Sequence, residues 1–452
     1  MRVVVVGGGI GGLTAGWSLR NGPAADPTPQ DVDVTVLEAG DTVGGKLRTG
    51  ELAGGAFDLG AEAFLARRPE ADRLARRLGL GDDLVEPAQS GVWLWRQGGL
   101  RRYPQRTVFG VPADPAALAS AGVVSPRTIA RAIAEPALAR PAMHEDVSVS
   151  DALAPRFGHE LVDTLVEPLL GGIYAGSTDR LSMLAATPLL ASAARSSQPY
   201  VTFMRHHRQR TAHVTGPVFR TVDGGMQRLA TALAADLDVR TGVAAVGLEQ
   251  DGGRWVVHST EGAEVADHVV LAVPAQVAAE LLRGVAPVSS RSLRAVPHAS
   301  SVVVATAWAD ATLPTGSGFL VPRSEGRLVK AATWSSNKWG HLGGADLAMV
   351  RFSVGRVDDR RGLDLDDRIL TELVLAEARE ALGLDGEPVD VAVQRWPDGL
   401  PQYDVGHTRR IAAVTRGLPD GVHMTGALFD GVGVAPIVGH AESVAATIRQ
   451  SA

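Results

Sequence analysis

The chain has 452 residues, 45% of them apolar and 21% charged, with a formal net charge of −6 and no cysteine. That length exceeds one simple core and implies two or three domains. The charge gives no footing for nucleic acid, and the lack of cysteine excludes disulfides, thiolate metal sites, a cysteine nucleophile and a flavin tethered through cysteine.

The opening reads as strand, turn and helix. Val3 to Val6 is a β-branched run, which marks a buried strand. It ends in GGGIGG, so that Gly7, Gly9 and Gly12 fall on the dinucleotide-binding G-x-G-x-x-G pattern, with Gly8, Ile10 and Gly11 between them. Leu13, Trp17 and Leu19 continue at helical spacing. Gly7 makes the turn, Gly9 lets a pyrophosphate approach the backbone, and Gly12 lets helix pack on strand. A second strand, Val32 to Leu37, ends at Glu38, whose carboxylate can take both hydroxyls of an adenosine ribose. Polar, proline-rich residues 22–31 lengthen the spacing as a loop. Val43-Gly44-Gly45-Lys46 suits a loop that wraps the pyrophosphate from the second side, which an extended FAD needs and a nicotinamide does not. Gly60-Ala61-Glu62-Ala63 can lay backbone beside a flat ring.

Further on, Pro69 to Leu80 has the pattern of an amphipathic helix, and Val92 to Arg96 a strand hairpinned through Gly98-Gly99 to Leu100–Tyr103. Residues 112–212 show helical patterns broken by Pro126, Pro136, Pro141, Pro155 and Pro168. Within them Glu167 to Gly176, EPLLGGIYAG, reads as an apolar glycine-rich turn, able to line a flat cavity or to join two helices; Arg205 to Arg210 reads as a solvated basic face. The α/β pattern returns with a helix opened by residues 221–226, strands at Val239-Arg240, Val243–Leu248, Arg254–Ser259 and His268–Val273, and a stop at Pro274. Val243 falls where a strand end can cover an adenine ring. Strands at Ser301–Trp308, Gly318–Val321, Lys330–Trp334 and Ala348–Val354 precede a helix from about Asp366 to Leu382. Val422–Gly426, the loop through Val432, Gly433 and Val434, and a helix from about Gly439 form a third phosphate-style unit.

With GFLVP at Gly318–Pro322, FLARRP at Phe64–Pro69, DGGMQRL at Asp223–Leu229 and PQYDVGH at Pro401–His407, these motifs resemble the bacterial coproporphyrinogen III oxidase/protoporphyrinogen IX oxidase family of amine oxidase-like flavoproteins over nearly the whole length. The resemblance implies an α/β protein with a Rossmann-type FAD-binding domain built from discontinuous segments (1–63, 213–285 and 396–452), a mixed-sheet substrate domain (64–110 and 286–395) and an inserted helical domain (111–212).

It carries FAD contacts over to Gly7 through Gly12, Glu38, Ala39, Lys46, Gly60, Ala61, Glu62, Ala63, Val243, Trp396, Val432, Gly433 and Val434. The activity it implies is oxygen-dependent, six-electron oxidation of a tetrapyrrole porphyrinogen, with release of hydrogen peroxide. Arg67 and Arg68 are candidates for substrate propionates, because guanidinium forks match carboxylates. Gly171, Gly172 and Ile173 are candidates for an apolar wall. No sequence-local acid–base dyad stands out, and neither a catalytic base nor a metal ligand is named. The arginines lean toward coproporphyrinogen III over protoporphyrinogen IX; an amine or carotenoid oxidase of the same superfamily is the wider rival. No apolar run reaches the roughly 18 residues that span a bilayer. The opening strand at residue 2 leaves no place for a signal peptide, so a cytoplasmic location is expected, with room for peripheral membrane contact and for a transient haem-pathway enzyme partner.

Overall fold

The computed structural model describes all residues except 139–142, 144, 197, 214, 345 and 452; the proline break at Pro141 therefore lies outside the described residues. Two sheets organise it. The first has five parallel strands, in the order Asp238–Thr241, Asp33–Glu38, Arg2–Val6, His268–Leu271 and Val422–Met424. The central strands Asp33–Glu38, Arg2–Val6 and His268–Leu271 are largely buried, as a parallel sheet covered on both sides requires, while the edge strand Asp238–Thr241 is polar. Alternation sorts the opening strand. Val3 and Val5 join a core with the helices Ile10–Asn21, Gln227–Ala234 and Val434–Gln450. Val4 and Val6 join a second core with Trp255, Val257 and the helix Ala275–Leu281.

The second sheet has seven strands: Asp390–Pro401, His298–Ala309, Leu347–Val354, Val329–Trp334, Gly318–Leu320, Val92–Arg96 and Gly99–Arg102. It is mixed, since Gly318–Leu320 runs parallel to Val92–Arg96 while the other pairings are antiparallel. One face buries Val304, Phe352, Val350 and Trp334 against the helix Asp367–Leu382. The strand Asp390–Pro401 continues through position 396, so Trp396 stands on this sheet.

The described residues between 116 and 211 are mainly helical, around a core that includes Leu153, Phe157, Leu165 and Tyr200. Serines cap three of these helices: Ser125, Ser148 and Ser182 accept from the amides of Thr128, Asp151 and Ala185. A buried ion pair, Arg156 with Glu135 at 3.0 Å, ties two of the segments together.

Three local expectations change. Glu167–Tyr174 is a helix and not a turn; it continues a wide-turned π segment, Val162–Val166, and ends where Ala175 adopts φ +51°. Pro168 sits in its first turn, where a missing amide costs nothing. The closing helix starts at Val434 and not near Gly439, because Gly439 is an interior packing position: a Cβ there would lie 3.1 Å from Glu70 Cγ. Finally, Phe219–Val222 is a strand joining Phe64–Leu65 and Leu84–Val85.

Candidate functional site

The parallel strands end together, and a cavity of about 570 Å³ opens beyond the carboxyl ends of Arg2–Val6, Asp33–Glu38 and His268–Leu271. Open α/β sheets place ligands at this edge. Gly7 turns the chain at φ +108°, with Ala272 O 2.5 Å from where a Cβ would stand. At Gly12 a Cβ would lie 2.0 Å from the Gly7 carbonyl oxygen, which is the close helix–strand contact the motif provides. Gly9 has no protein atom within 4 Å of its Cβ position, and with Gly7, Ile10 and Gly11 it lines the cavity.

The two glycine loops lie side by side. Gly44 N–H donates to Gly8 O at 2.8 Å, and a Cβ at Gly45 would meet Gly9 Cα at 3.3 Å. Glu38 is fixed by two amides, accepting from Gly8 N at 2.6 Å and Gly40 N at 2.8 Å, and lines the cavity with Ala39. Each carboxylate oxygen keeps a lone pair for a further donor. Lys46 lines the cavity while its residue stays open to solvent. Desolvation by the surrounding protein atoms holds its ammonium below the usual value, and no carboxylate pairs with it among the described residues.

The third glycine stretch divides in its roles. Ala61 lines the cavity and its amide donates to Lys46 O at 2.9 Å. Gly60 is forced, since a Cβ there would lie 2.0 Å from that same oxygen. At Glu62 only the backbone is expected beside the ring, and the side chain turns elsewhere. Its carboxylate turns into an ion pair with Lys338, with Arg351 Nη1 3.8 Å away, so its side chain braces the loop and does not face the cavity. Ala63 is half-buried outside the lining. Asp58 anchors the approach to this stretch, accepting from Thr49 Oγ1 at 2.6 Å and Met226 N at 3.0 Å; burial pushes its carboxyl up to about 6.

Val243 also departs from expectation. Its amide donates to Glu38 O at 2.9 Å, but its side chain packs in the core with Val4, Val6 and Leu37. The wall there is made by Ala244 and Ala245. Trp396 lines the opposite side and donates from Nε1 to Leu59 O at 3.1 Å. It is placed by a bulge: Ser301 pairs with Trp396 and Ala299 with Leu400, so residues 397–399 face only Ser300. The bulge puts Asp398 at φ +46°, holds its amide on Ser300 Oγ at 2.8 Å, and presents Pro397, Gly399 and Leu400 to the cavity. Val432 and Val434 close the far end, with Gly433 capping the helix between them.

The substrate candidates are less well gathered. Arg67 is exposed, and Arg68 is paired with Glu70 at 2.9 Å in a surface cleft with Asp430 and His440; neither lines the cavity. On the helix Glu167–Tyr174, Gly171 is buried while Gly172 and Ile173 are exposed. A Cβ on Gly172 would stand 3.7 Å from Leu320 of the seven-stranded sheet.

PQYDVGH ties these parts together. Gln402 Nε2 donates to Tyr174 O at 2.8 Å, and Gly406 N to Asp146 Oδ2 at 2.7 Å, so the motif grips the helical unit. Tyr403 donates to Ala427 O at 2.7 Å, accepts from Gly431 N at 3.0 Å and stacks on His407 at 3.9 Å. His407 Nε2–H donates to Leu428 O at 2.9 Å, and burial pushes the imidazole down to about 4, so it stays neutral. The motif thereby fixes the loop that leads to Val432. Sequence reading missed Ala244, Ala245, Val277, Gly399, Leu400 and Gly426 as lining residues. Only Gly426, a glycine at a strand end, carried a signal of the kind already used for Gly7.

Strand-end glycines, a ribose-ready carboxylate and a cavity-lining lysine with no carboxylate partner among the described residues define a dinucleotide-binding flavoprotein architecture. The family model for flavin containing amine oxidoreductase matches residues 10–435. The chain is 38% identical over 442 residues to a coproporphyrinogen III oxidase of Mycobacterium tuberculosis (strain ATCC 25618 / H37Rv), covering 97% of this chain and 95% of that one. It is 30% identical over 449 residues to a coproporphyrinogen III oxidase of Bacillus subtilis (strain 168), covering 96% and 94%. A crystal structure from Exiguobacterium sp. 255-15, of a chain provisionally named protoporphyrinogen oxidase, superposes with TM-score 0.89 at 28% identity over 100% and 99% of the two chains. The chain belongs to the flavin containing amine oxidoreductase family.

Proposed function

We propose that this chain is an FAD- and oxygen-dependent oxidase that converts coproporphyrinogen III to coproporphyrin III in haem biosynthesis. The observation that carries the reading is its end-to-end similarity to coproporphyrinogen III oxidases, 38% identical over 97% of this chain. The cavity residues fit FAD: paired glycine loops for the pyrophosphate, Glu38 for the ribose, and a slot between Ala61, Trp396 and Val432 for the ring. Bound FAD supplies a two-electron acceptor that dioxygen regenerates.

Three rounds remove six electrons and six protons from the macrocycle, and three dioxygen molecules leave as hydrogen peroxide. The chain's own share is position and exclusion of water. Arg351 donates to Gly60 O and holds the 60–62 backbone in place, the 396–400 bulge closes the ring side, and Gly172 faces Leu320 across the substrate side. No residue is assigned as a general base; pyrrole protons can leave to water. The reading includes a cytoplasmic location, which cell fractionation tests. Among the described residues no helix is long and apolar enough to cross a membrane.

Purified protein should be yellow. With coproporphyrinogen III it should develop porphyrin fluorescence and consume one dioxygen per two electrons. Absent fluorescence, or faster turnover of protoporphyrinogen IX judged by kcat/KM, overturns the assignment. Lys46→Met should raise the Kd for FAD about 10- to 100-fold, because a charge-assisted contact to phosphate contributes roughly 1.5–3 kcal/mol. Titration of the apoprotein by flavin fluorescence checks this.

A further inference from the structure

The helix Glu167–Tyr174 packs across the strand Val329–Trp334. At that seam Val329 pairs with Val354 and Ala331 with Ser353, so Lys330 is the extra residue of a bulge. Lys330 is 5% exposed. Its ammonium has no hydrogen-bond or ion-pair partner among the described residues. The charged groups facing it are Arg356 and Arg351, from the strand Leu347–Val354 and just beyond it, and Glu167, from the helix.

Those neighbours do not neutralise it. Arg356, also 5% exposed, donates to Val321 O at 3.0 Å. Glu167 is 4% exposed; one oxygen lies 3.4 Å from Arg323 Nε and the other has no hydrogen-bond partner. Arg323 is itself gripped by both oxygens of Asp358. Arg351 lies 3.8 Å from Glu62, which Lys338 also engages. The seam thus holds more cation than carboxylate, and an uncompensated buried charge is costly. Burial, reinforced by Arg356 and Arg351, pushes the Lys330 ammonium down to about 7.

The bulge adjoins the sheet face that looks toward the helix. Leu320, Ala331, Ser353, Val303 and Gln394 stand in one cross-strand row, and all but Val303 are half-exposed. Gly172 opposes the Leu320 end of that row. A carboxylate entering between sheet and helix would meet a ready cation at its inner end.

We propose that Lys330, backed by Arg356, is an anchor for one propionate of the porphyrinogen, taking the role that Arg67 and Arg68 do not reach. This deepens, and rests on, the porphyrinogen reading above. The lysine then sets which edge of the macrocycle turns toward the flavin. Its ion pair is complete when both the lysine is protonated and the carboxylate is bound, so binding strengthens below the lysine's free pKa and weakens above it.

The test is equilibrium binding of coproporphyrin III to the FAD-loaded enzyme, followed by quenching of porphyrin fluorescence at pH 6 and pH 8.5. Porphyrin propionates remain ionised across that range. Wild-type Kd should rise about tenfold between the two pH values, as expected for a group titrating near neutrality. Lys330→Met should bind about tenfold more weakly at pH 6 and show no pH slope. Lys330→Arg should keep the affinity and lose the slope, because guanidinium does not titrate there. Bound-flavin absorbance reports folding. Were the methionine variant to lack flavin, the arginine variant decides alone, and a wild-type slope in it overturns the proposal. So does a methionine variant with wild-type Kd at both pH values and a lowered melting temperature; Lys330 would then only offset Glu167. A wild-type enzyme that neither oxidises coproporphyrinogen III nor binds coproporphyrin III sinks the porphyrinogen reading itself, and the anchor with it.

Discussion

Gly12→Ala and Gly7→Ala should both yield colourless, less stable protein, while Gly9→Ala should yield colourless protein of nearly unchanged apoprotein stability. The contrast follows from what each Cβ would meet. At position 12 it would stand 2.0 Å from Gly7 O, a backbone atom that cannot move without displacing the turn. At position 7 it would stand 2.5 Å from Ala272 O with φ at +108°, so sterics and backbone strain add. Overpacking costs about 1–3 kcal/mol and an unsuited backbone conformation a further 1–3 kcal/mol. Position 9 has open space around its Cβ, so the methyl group intrudes only where the pyrophosphate would lie. Thermal melts of the apoproteins together with FAD titration separate the two effects. Tight FAD binding by Gly9→Ala would remove the pyrophosphate from that turn and would undo the cofactor geometry argued from it.

The same three glycines explain why the cofactor side was legible in the sequence. Strand, turn and helix are local, and the chemistry of Gly7–Gly12, Glu38 and Val432–Val434 is written within a few residues of each unit. The structure brings these distant pieces to one cavity with Lys46, Ala61 and Trp396. What failed to show was non-local. Glu62 sits in a motif that suggests a ring contact, yet its direction is decided by Lys338 and Arg351, far away in sequence. Val243 looked like a lining residue because strand ends point at the cavity, but it precedes the strand Ala245–Asp251 and its side chain packs in the core, while Ala244 and Ala245 line the cavity. Arg67 and Arg68 drew attention as a pair, whereas Lys330 gave no sign because its burial comes from a bulge and a crossing helix. Glu167–Gly176 read as a turn from its glycines and proline; the preceding π segment supplies the helical run that makes it a helix.

Glu135→Ala should destabilise the helical unit by about 3–5 kcal/mol, the usual cost of removing one partner of a buried ion pair, while leaving FAD affinity intact. Glu135 has no exposed surface and accepts four bonds: from Arg156 Nη2 at 3.0 Å and Nε at 3.4 Å, and from the amides of Tyr200 and Val201 at 3.0 Å and 3.2 Å. Those two amides open the helix Tyr200–Thr211, whose first-turn N–H groups have no partner within the helix. The carboxylate therefore caps that helix from another segment, and its charge suits the positive end of the helix dipole. Alanine deprives Arg156 of its carboxylate and strips both amides at once. Glu135→Gln keeps an acceptor but loses the charge, and should fall between the two. Limited proteolysis should cut residues 116–211 of the alanine variant early, with the flavin still bound, because this pair lies on the helical segments Glu135–Ala137 and Val149–Phe157 and not on the parallel sheet or its glycine loops. On the proposed function KM for the porphyrinogen should also rise, since the same unit carries the candidate wall residues Gly172 and Ile173. If the alanine variant melted and resisted protease like the wild type, the helical unit would be held by its apolar core alone, and Glu135 would be a passenger within it.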